Sequence, residues 1–166
     1  MDNYDILIVD DDLNIIKSLS RSLWPLHVAI HTANSGEDGL SLMERQDIDL
    51  VISDMKMPGM GGLAFLKKIQ LDHPHVFTIL LTAHGELETA MEAINNAGVY
   101  KFLTKPWHAD FLRLTVQRAL EGRKVIMERN LLIHKVKRQE AILRDLENRY
   151  PGITKKNVDE NGSIVI

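Results

Sequence analysis

The sequence predicts an open α/β fold, a parallel sheet with helices on both faces. Three observations carry this. Short apolar runs alternate strictly with segments of helical periodicity across residues 5–120. The runs are continuously apolar, as in strands covered on both sides. Finally, 166 residues hold five such units, whereas a closed eight-unit barrel needs about 250.

Each element follows from its own pattern. Asp5–Val9 (DILIV) is a compact β-rich run, and Leu13–Trp24 carries Leu13, Ile16, Leu19 and Leu23 on one helical stripe. His27–His31 (HVAIH) reads as the second strand and Glu37–Arg45, after Ser35-Gly36, as the second helix. Ile48–Ser53 is a strand, and Gly62–Leu71 repeats Leu63, Leu66 and Ile69 at helical spacing. Phe77–Leu81, Glu86–Asn95 and Lys101–Thr104 complete the alternation as strand, helix and strand. A long helix begins at Ala109. Right-handed crossovers then leave the strands parallel.

Composition excludes several classes. Hydrophobic residues are 45% and charged residues 26%, a globular balance. The absence of cysteine removes disulfides, thiolate zinc sites and a thiol nucleophile. No apolar run reaches the roughly 18 residues of a membrane span, and the acidic start MDNYDILIVDDD is not a signal peptide. A soluble cytoplasmic protein is expected. Residues 1–120 hold 10 Lys+Arg against 16 Asp+Glu, a balance of −6. Residues 121–166 hold 10 against 7, a balance of +3. That excess, spread along a helix, is no nucleic-acid patch.

In open sheets, ligands bind beyond the carboxyl ends of the strands. Asp10, Asp11 and Asp12 follow the first strand, Asp54 the third, Thr82 the fourth and Lys105 the fifth. Two carboxylates about 4 Å apart repel by roughly 4 kcal/mol at an effective dielectric near 20. Such a site holds protons or a cation. Oxygen-only ligands favour a hard ion, Mg²⁺ foremost. Lys105 adds a point charge suited to an anion. Carboxylate, Mg²⁺, lysine and hydroxyl together suit phosphoryl transfer, and a carboxylate can itself be the nucleophile.

The stretches ILIVDDD (6–12), VISDMKMPGMGG (51–62), ILLTAHG (79–85) and FLTKPW (102–107) occur in this order. Together they resemble the receiver domains of two-component response regulators, over about residues 4–120. The resemblance implies a flavodoxin-like five-stranded fold that accepts phosphate from a histidine kinase. It implies Asp54 as phosphoacceptor, with Asp10, Asp11, Asp54 and the main-chain carbonyl of Lys56 around Mg²⁺. It implies Thr82 and Lys105 as partners of the phosphoryl group, Thr82 and Phe102 as switch residues, and Pro106 at a position that is often cis. One departure is a stretch of 23 residues from Thr82 to Lys105, one more than the family pattern, placed at Asn95–Val99. With the Lys-Pro-Trp ending, this is similar to receivers joined to signalling enzymes such as cyclic-dinucleotide phosphodiesterases.

Plainer readings stand beside these. Asp12 reads as a helix N-cap. Lys56 and His84, two positions past Asp54 and Thr82, either modulate water access or are exposed loop residues. Gly59, Gly61 and Gly62 are turn glycines without phosphate-loop spacing. Met55, Met57 and Met60 read as packing. Phe102 is either a switch or plain core.

From Asp110 to Tyr150 there is no proline and one glycine, Gly122, a candidate joint. A helix that long usually finds a partner. Val125, Arg129, Leu132, Val136, Gln139, Leu143, Leu146 and Tyr150 alternate four- and three-residue spacings. The apolar members form a heptad seam, and a parallel homodimer is expected, ahead of a helix folded back on its own domain. Pro151-Gly152 ends the helix, and Asn161-Gly162 reads as either a small hairpin or a flexible end. The expected organisation is a receiver over 1–121, an extended helix over 122–150 and a tail over 151–166. The expected partners are a sensor histidine kinase or phosphotransfer protein and a second copy, with neither nucleic acid nor membrane. The receiver would catalyse its own phosphorylation and dephosphorylation without being a metabolic enzyme. Two other readings share the residues: an Mg²⁺-dependent phosphohydrolase with an aspartyl-phosphate intermediate, and a passive dimerisation module. Met55 and Lys56 after Asp54 supply no second acid for the hydrolase.

Overall fold

A computed structural model describes residues 4–86, 91 and 98–153. The elements are β1 (Asp5–Val9), α1 (Leu13–Leu23), β2 (Ala29–Ala33), α2 (Gly36–Met43), β3 (Leu50–Asp54), α3 (Gly62–Asp72), β4 (Phe77–Ala83), β5 (Lys101–Lys105) and α4 (Ala109–Arg149). Short 3₁₀ turns occupy Trp24–Leu26 and His84–Glu86. The helix expected over Glu86–Asn95 lies almost wholly outside the described residues, and so does the Asn161-Gly162 turn.

The strands form one parallel sheet in the order β2-β1-β3-β4-β5, the expected flavodoxin-like arrangement. Side chains alternate across it, as period-two geometry requires. Ile6, Ile8, Leu50, Ile52, Ile79, Leu81 and Leu103 face α1 and the first turns of α4. Leu7, Val9, Val51 and Leu80 face α2 and α3. Burial on both faces explains the largely apolar runs of the central strands β1, β3 and β4. Asp12 caps α1 by accepting the Asn14 N–H at 2.8 Å, and Ser35 caps α2 through Asp38 N–H at 3.1 Å.

Several boundaries differ from the sequence reading. The second strand begins at Ala29, not His27. Pro25 lacks an N–H and cannot continue α1, so Trp24–Leu26 tightens to 3₁₀ and His27 closes it in the left-handed region (φ 52°). Asp54, Thr82 and Lys105 are strand residues rather than residues after strands. Main-chain pairing continues through them, at Asp54↔Leu81, Thr82↔Thr104 and Ala83↔Lys105. A polar side chain does not stop a ladder made by the backbone.

The chain divides into two compact units, 1–125 and 126–166. In the first, Gly122 is no break: α4 runs straight through it. A Cβ there would meet the Phe77 ring at 3.3 Å, so the missing side chain lets the helix pack closely. Next to it Arg123 pairs with Asp49 at 2.6 Å, both largely buried. Asp49 also accepts the Asp5 N–H at 2.7 Å, fastening the start of β1. In the second unit, the helix to Arg149 carries an Asp145–Arg149 pair at 3.1 Å. Leu132, Val136 and Leu143 of the predicted seam are exposed there, and Leu146 is half-buried. Val125, the first seam position, is exposed at the end of the first unit. Among the described residues, no helix is long and apolar enough to cross a membrane.

Candidate functional site

The strand order reverses direction between β1 and β3, and the candidate residues gather beyond that point. Val9 pairs with Ser53, so Asp10 and Asp54 occupy the next rung. Asp10 is buried, and its Oδ1 accepts the Asp12 N–H at 2.9 Å. Asp54 is buried too, and its Oδ2 accepts the Lys56 N–H at 3.0 Å. Lys105 reaches in from β5, its Nζ lying 2.7 Å from Asp54 Oδ1 and 2.9 Å from Asp10 Oδ2. Asp11 is exposed, yet carboxylate oxygens of Asp10, Asp11 and Asp54 all lie within 4.8 Å of one another. The Lys105–Pro106 peptide is cis.

Three carboxylates around one ammonium leave an excess of negative charge. Burial pushes the Asp54 carboxyl above its ordinary value; the Lys105 hydrogen bond opposes this, and the Asp10 charge adds to it. Burial pulls the Lys105 ammonium down, but hydrogen bonds to Asp54 and Asp10 outweigh it and hold the group above its ordinary value. Burial at Asp54 and the paired carboxylates at Lys105 thus both favour bound protons or cations. Oxygen-only donors this close fit a small hard cation.

The loop after β3 needs its glycines at two places. Gly59 has φ 75°, in the left-handed region. A Cβ on Gly62 would lie 1.7 Å from the Asp54 carbonyl oxygen, so only glycine lets α3 start against the end of β3. The Gly62 N–H donates to Met55 O at 3.0 Å and closes the loop.

Thr82 is fully buried, and its hydroxyl lies 3.3 Å from Ala83 O and 3.4 Å from Met55 Sδ. Phe102 is half-buried against the cluster under α2 and α3, across from Leu80. Met57 is buried, and Met55 and Met60 pack against the same cluster. Asp12 points away into its capping role.

Two residues escaped the sequence reading. Glu86 pairs with Lys56, and that lysine holds its carboxyl below the ordinary value. Glu37, in the first turn of α2, accepts the Met60 N–H at 3.0 Å and braces the loop after β3. Neither lies in a spacing that marks a site.

The receiver domain family of response regulators matches residues 6–117. The transcriptional regulatory protein GlrR of Escherichia coli (strain K12) is 40% identical over 116 residues, covering 70% of this chain and 26% of its own length. The C4-dicarboxylate transport transcriptional regulatory protein DctD of Rhizobium meliloti is 35% identical over 127 residues, covering 76% and 27%. The chain thus spans about a quarter of the length of the curated relatives it matches. Among solved structures, the signal receiver domain of an HD domain-containing protein from Pseudomonas fluorescens Pf-5 is 34% identical with a TM-score of 0.73, covering 78% of this chain and 95% of that one. With fold, motif order and relatives in agreement, the chain belongs to the response regulator receiver domains and is homologous to the response regulators of two-component systems.

Proposed function

We propose that this chain accepts a phosphoryl group on Asp54 and relays that event through Thr82, Lys105 and Phe102. One observation carries the reading: Asp54 sits at a strand end on the switch point, paired to Lys105, with Asp10 and Asp11 oxygens within 4.8 Å. An Asp54 carboxylate oxygen attacks the phosphorus of a kinase or carrier phosphohistidine. The P–N bond breaks, its electron pair returns to the imidazole nitrogen, and Asp54 becomes an acyl phosphate. Lys105 then gives up one carboxylate contact for a phosphoryl oxygen, and the Thr82 hydroxyl donates to another.

Asp10, Asp11 and Asp54, with the Lys56 carbonyl, are the residues that would hold Mg²⁺. Bound there, the ion supplies neutralisation of charge on the transferring oxygens. Removal of Thr82 from its resting contacts opens space toward Phe102 on β5, and that side chain repositions. We assign residues 1–121 to the receiver, 122–150 to a helix that pairs with a second copy along Val125, Leu132, Val136, Leu143 and Leu146, and 151–166 to a tail. The partners are a sensor histidine kinase or phosphotransfer protein and the second copy, met in the cytoplasm.

Incubation with Mg²⁺ and acetyl phosphate tests this. The intact chain should gain one phosphoryl mass, and Asp54→Asn should gain none. Equal gain in both would overturn the reading. Sustained turnover of phosphate esters would favour the hydrolase instead.

A further inference from the structure

The chain has no cysteine, so its seven methionines are its only sulfur. Three of them, Met55, Met57 and Met60, fall within six residues of Asp54. Met57 is buried, whereas Met55 is half-buried and so within reach of a small oxidant. The Met55 main chain is fixed: its N–H donates to Leu81 O at 2.9 Å, and its carbonyl accepts the Gly62 N–H at 3.0 Å. From that backbone the side chain brings Sδ within 3.4 Å of the Thr82 hydroxyl, which donates to it. The other acceptor beside that hydroxyl is Ala83 O at 3.3 Å. Thioether sulfur is a weak acceptor, so the hydroxyl is readily released to a stronger one. Phosphoryl transfer to Asp54 needs that release, because Thr82 must then donate to a phosphoryl oxygen.

We propose that Met55 is an oxidation site, and that its sulfoxide slows phosphoryl uptake at Asp54 by capturing the Thr82 hydroxyl. The proposal rests on the phosphoacceptor reading above and adds a regulation of that same site. The oxidant is a peroxide. A lone pair of the Met55 sulfur attacks one oxygen of hydrogen peroxide and the O–O bond breaks. A proton shift then leaves methionine sulfoxide and one water, with sulfur oxidised and peroxide reduced by two electrons. The sulfoxide oxygen is polar and accepts strongly where the thioether accepted weakly. Methionine turns freely about its last bonds. The new oxygen therefore comes within the roughly 2.5–3.0 Å of an O–H···O bond to Thr82. A hydroxyl held there is withheld from the phosphoryl group. A contact made in the unphosphorylated state and lost in the phosphorylated one biases the equilibrium between them and reduces the population ready to react.

The test uses the full chain with Mg²⁺ and acetyl phosphate. Wild type, Met55→Leu and Thr82→Ala are each treated with hydrogen peroxide, and peptide mapping reads the gain of one oxygen at each methionine. The initial rate of phosphoryl uptake is then divided by that of the same protein untreated. Wild type should slow by about three- to tenfold as Met55 sulfoxide forms, the range for one hydrogen bond gained in the unphosphorylated state. The loss should appear in the maximal rate rather than in the half-saturating phosphodonor concentration. Met55→Leu conserves volume and still oxidises at exposed Met91 and Met127. It and Thr82→Ala should each slow by less than about twofold, since the effect needs both groups. Methionine sulfoxide reductase should restore the wild-type rate. Several results overturn the proposal: no oxygen gained at Met55, an unchanged rate once it is gained, slowing that the reductase does not reverse, or equal slowing in either variant. An untreated wild-type chain that takes up no phosphoryl group overturns the phosphoacceptor reading beneath it instead.

Discussion

Lys105→Met removes the one ammonium between Asp10 and Asp54, whose side chains are 1% and 11% exposed. What remains is three carboxylates with oxygens within 4.8 Å. At that separation and an effective dielectric near 20, each pair repels by about 3.5 kcal/mol. Protonation of one carboxyl caps the penalty, because neutralising an ordinary aspartate at pH 7 costs about 4 kcal/mol. The expected loss of stability is therefore about 2–4 kcal/mol near pH 7.5 with a chelator present. Urea unfolding followed by Trp24 and Trp107 fluorescence measures it. The sign with pH is fixed by Asp54. Its carboxyl already lies above the ordinary value, through burial opposed by Lys105. Losing Lys105 raises it further, so the folded variant binds the proton more tightly than the unfolded chain. Stability of the variant relative to wild type thus improves as pH falls from 7.5 toward 5. Millimolar Mg²⁺ should restore much of the loss, and more in the variant than in wild type. A variant as stable as wild type in chelator, or one indifferent to Mg²⁺ and to pH, would refute the electrostatic argument.

Other expectations follow from single contacts. Gly62→Ala forces a Cβ into the Asp54 carbonyl, where the two atoms would lie 1.7 Å apart. Neither is a flexible side-chain end, so α3 must retreat, with a loss of about 3 kcal/mol in urea unfolding and slowed uptake of phosphoryl groups. Arg123→Ala leaves Asp49 buried without its cation and should cost about 3 kcal/mol; Asp49→Asn with Arg123→Ala should cost less than the two changes summed. Leu132→Asp with Val136→Asp places charge on the exposed seam and should convert a dimer to a monomer in sedimentation equilibrium. A wild-type chain that sediments as a monomer would remove the seam from the account.

Much of the fold was legible because its central strands, β1, β3 and β4, are buried on both faces. Apart from Asp5 at its start and Thr78, DILIV and FTILL are apolar, and the strand order places Asp10 and Asp54 side by side. Charge chemistry then picked out Lys105, which is found bridging the two. Boundaries were less legible. Main-chain ladders run one or two residues past the last apolar side chain, which is why Thr82 lies within β4 rather than after it. His27 read as strand because its left-handed turn depends on Pro25 ending α1, a backbone event the apolar pattern does not register. Gly122, read in sequence as a joint, is a point of close approach to Phe77. Glu86 and Glu37 were invisible because their partners are distant in sequence or are main-chain groups. A carboxylate that acts by bracing a loop carries no spacing signature.

Chemical trapping tests whether the phosphoryl group resides on the Asp54 carboxylate. Borohydride reduction after phosphorylation converts an aspartyl phosphate to homoserine, and peptide mapping locates the change. Homoserine is expected at position 54, dependent on Mg²⁺ and on prior phosphorylation. Label that resists reduction, or homoserine at Asp10 or Asp11 with Asp54 intact, would contradict it.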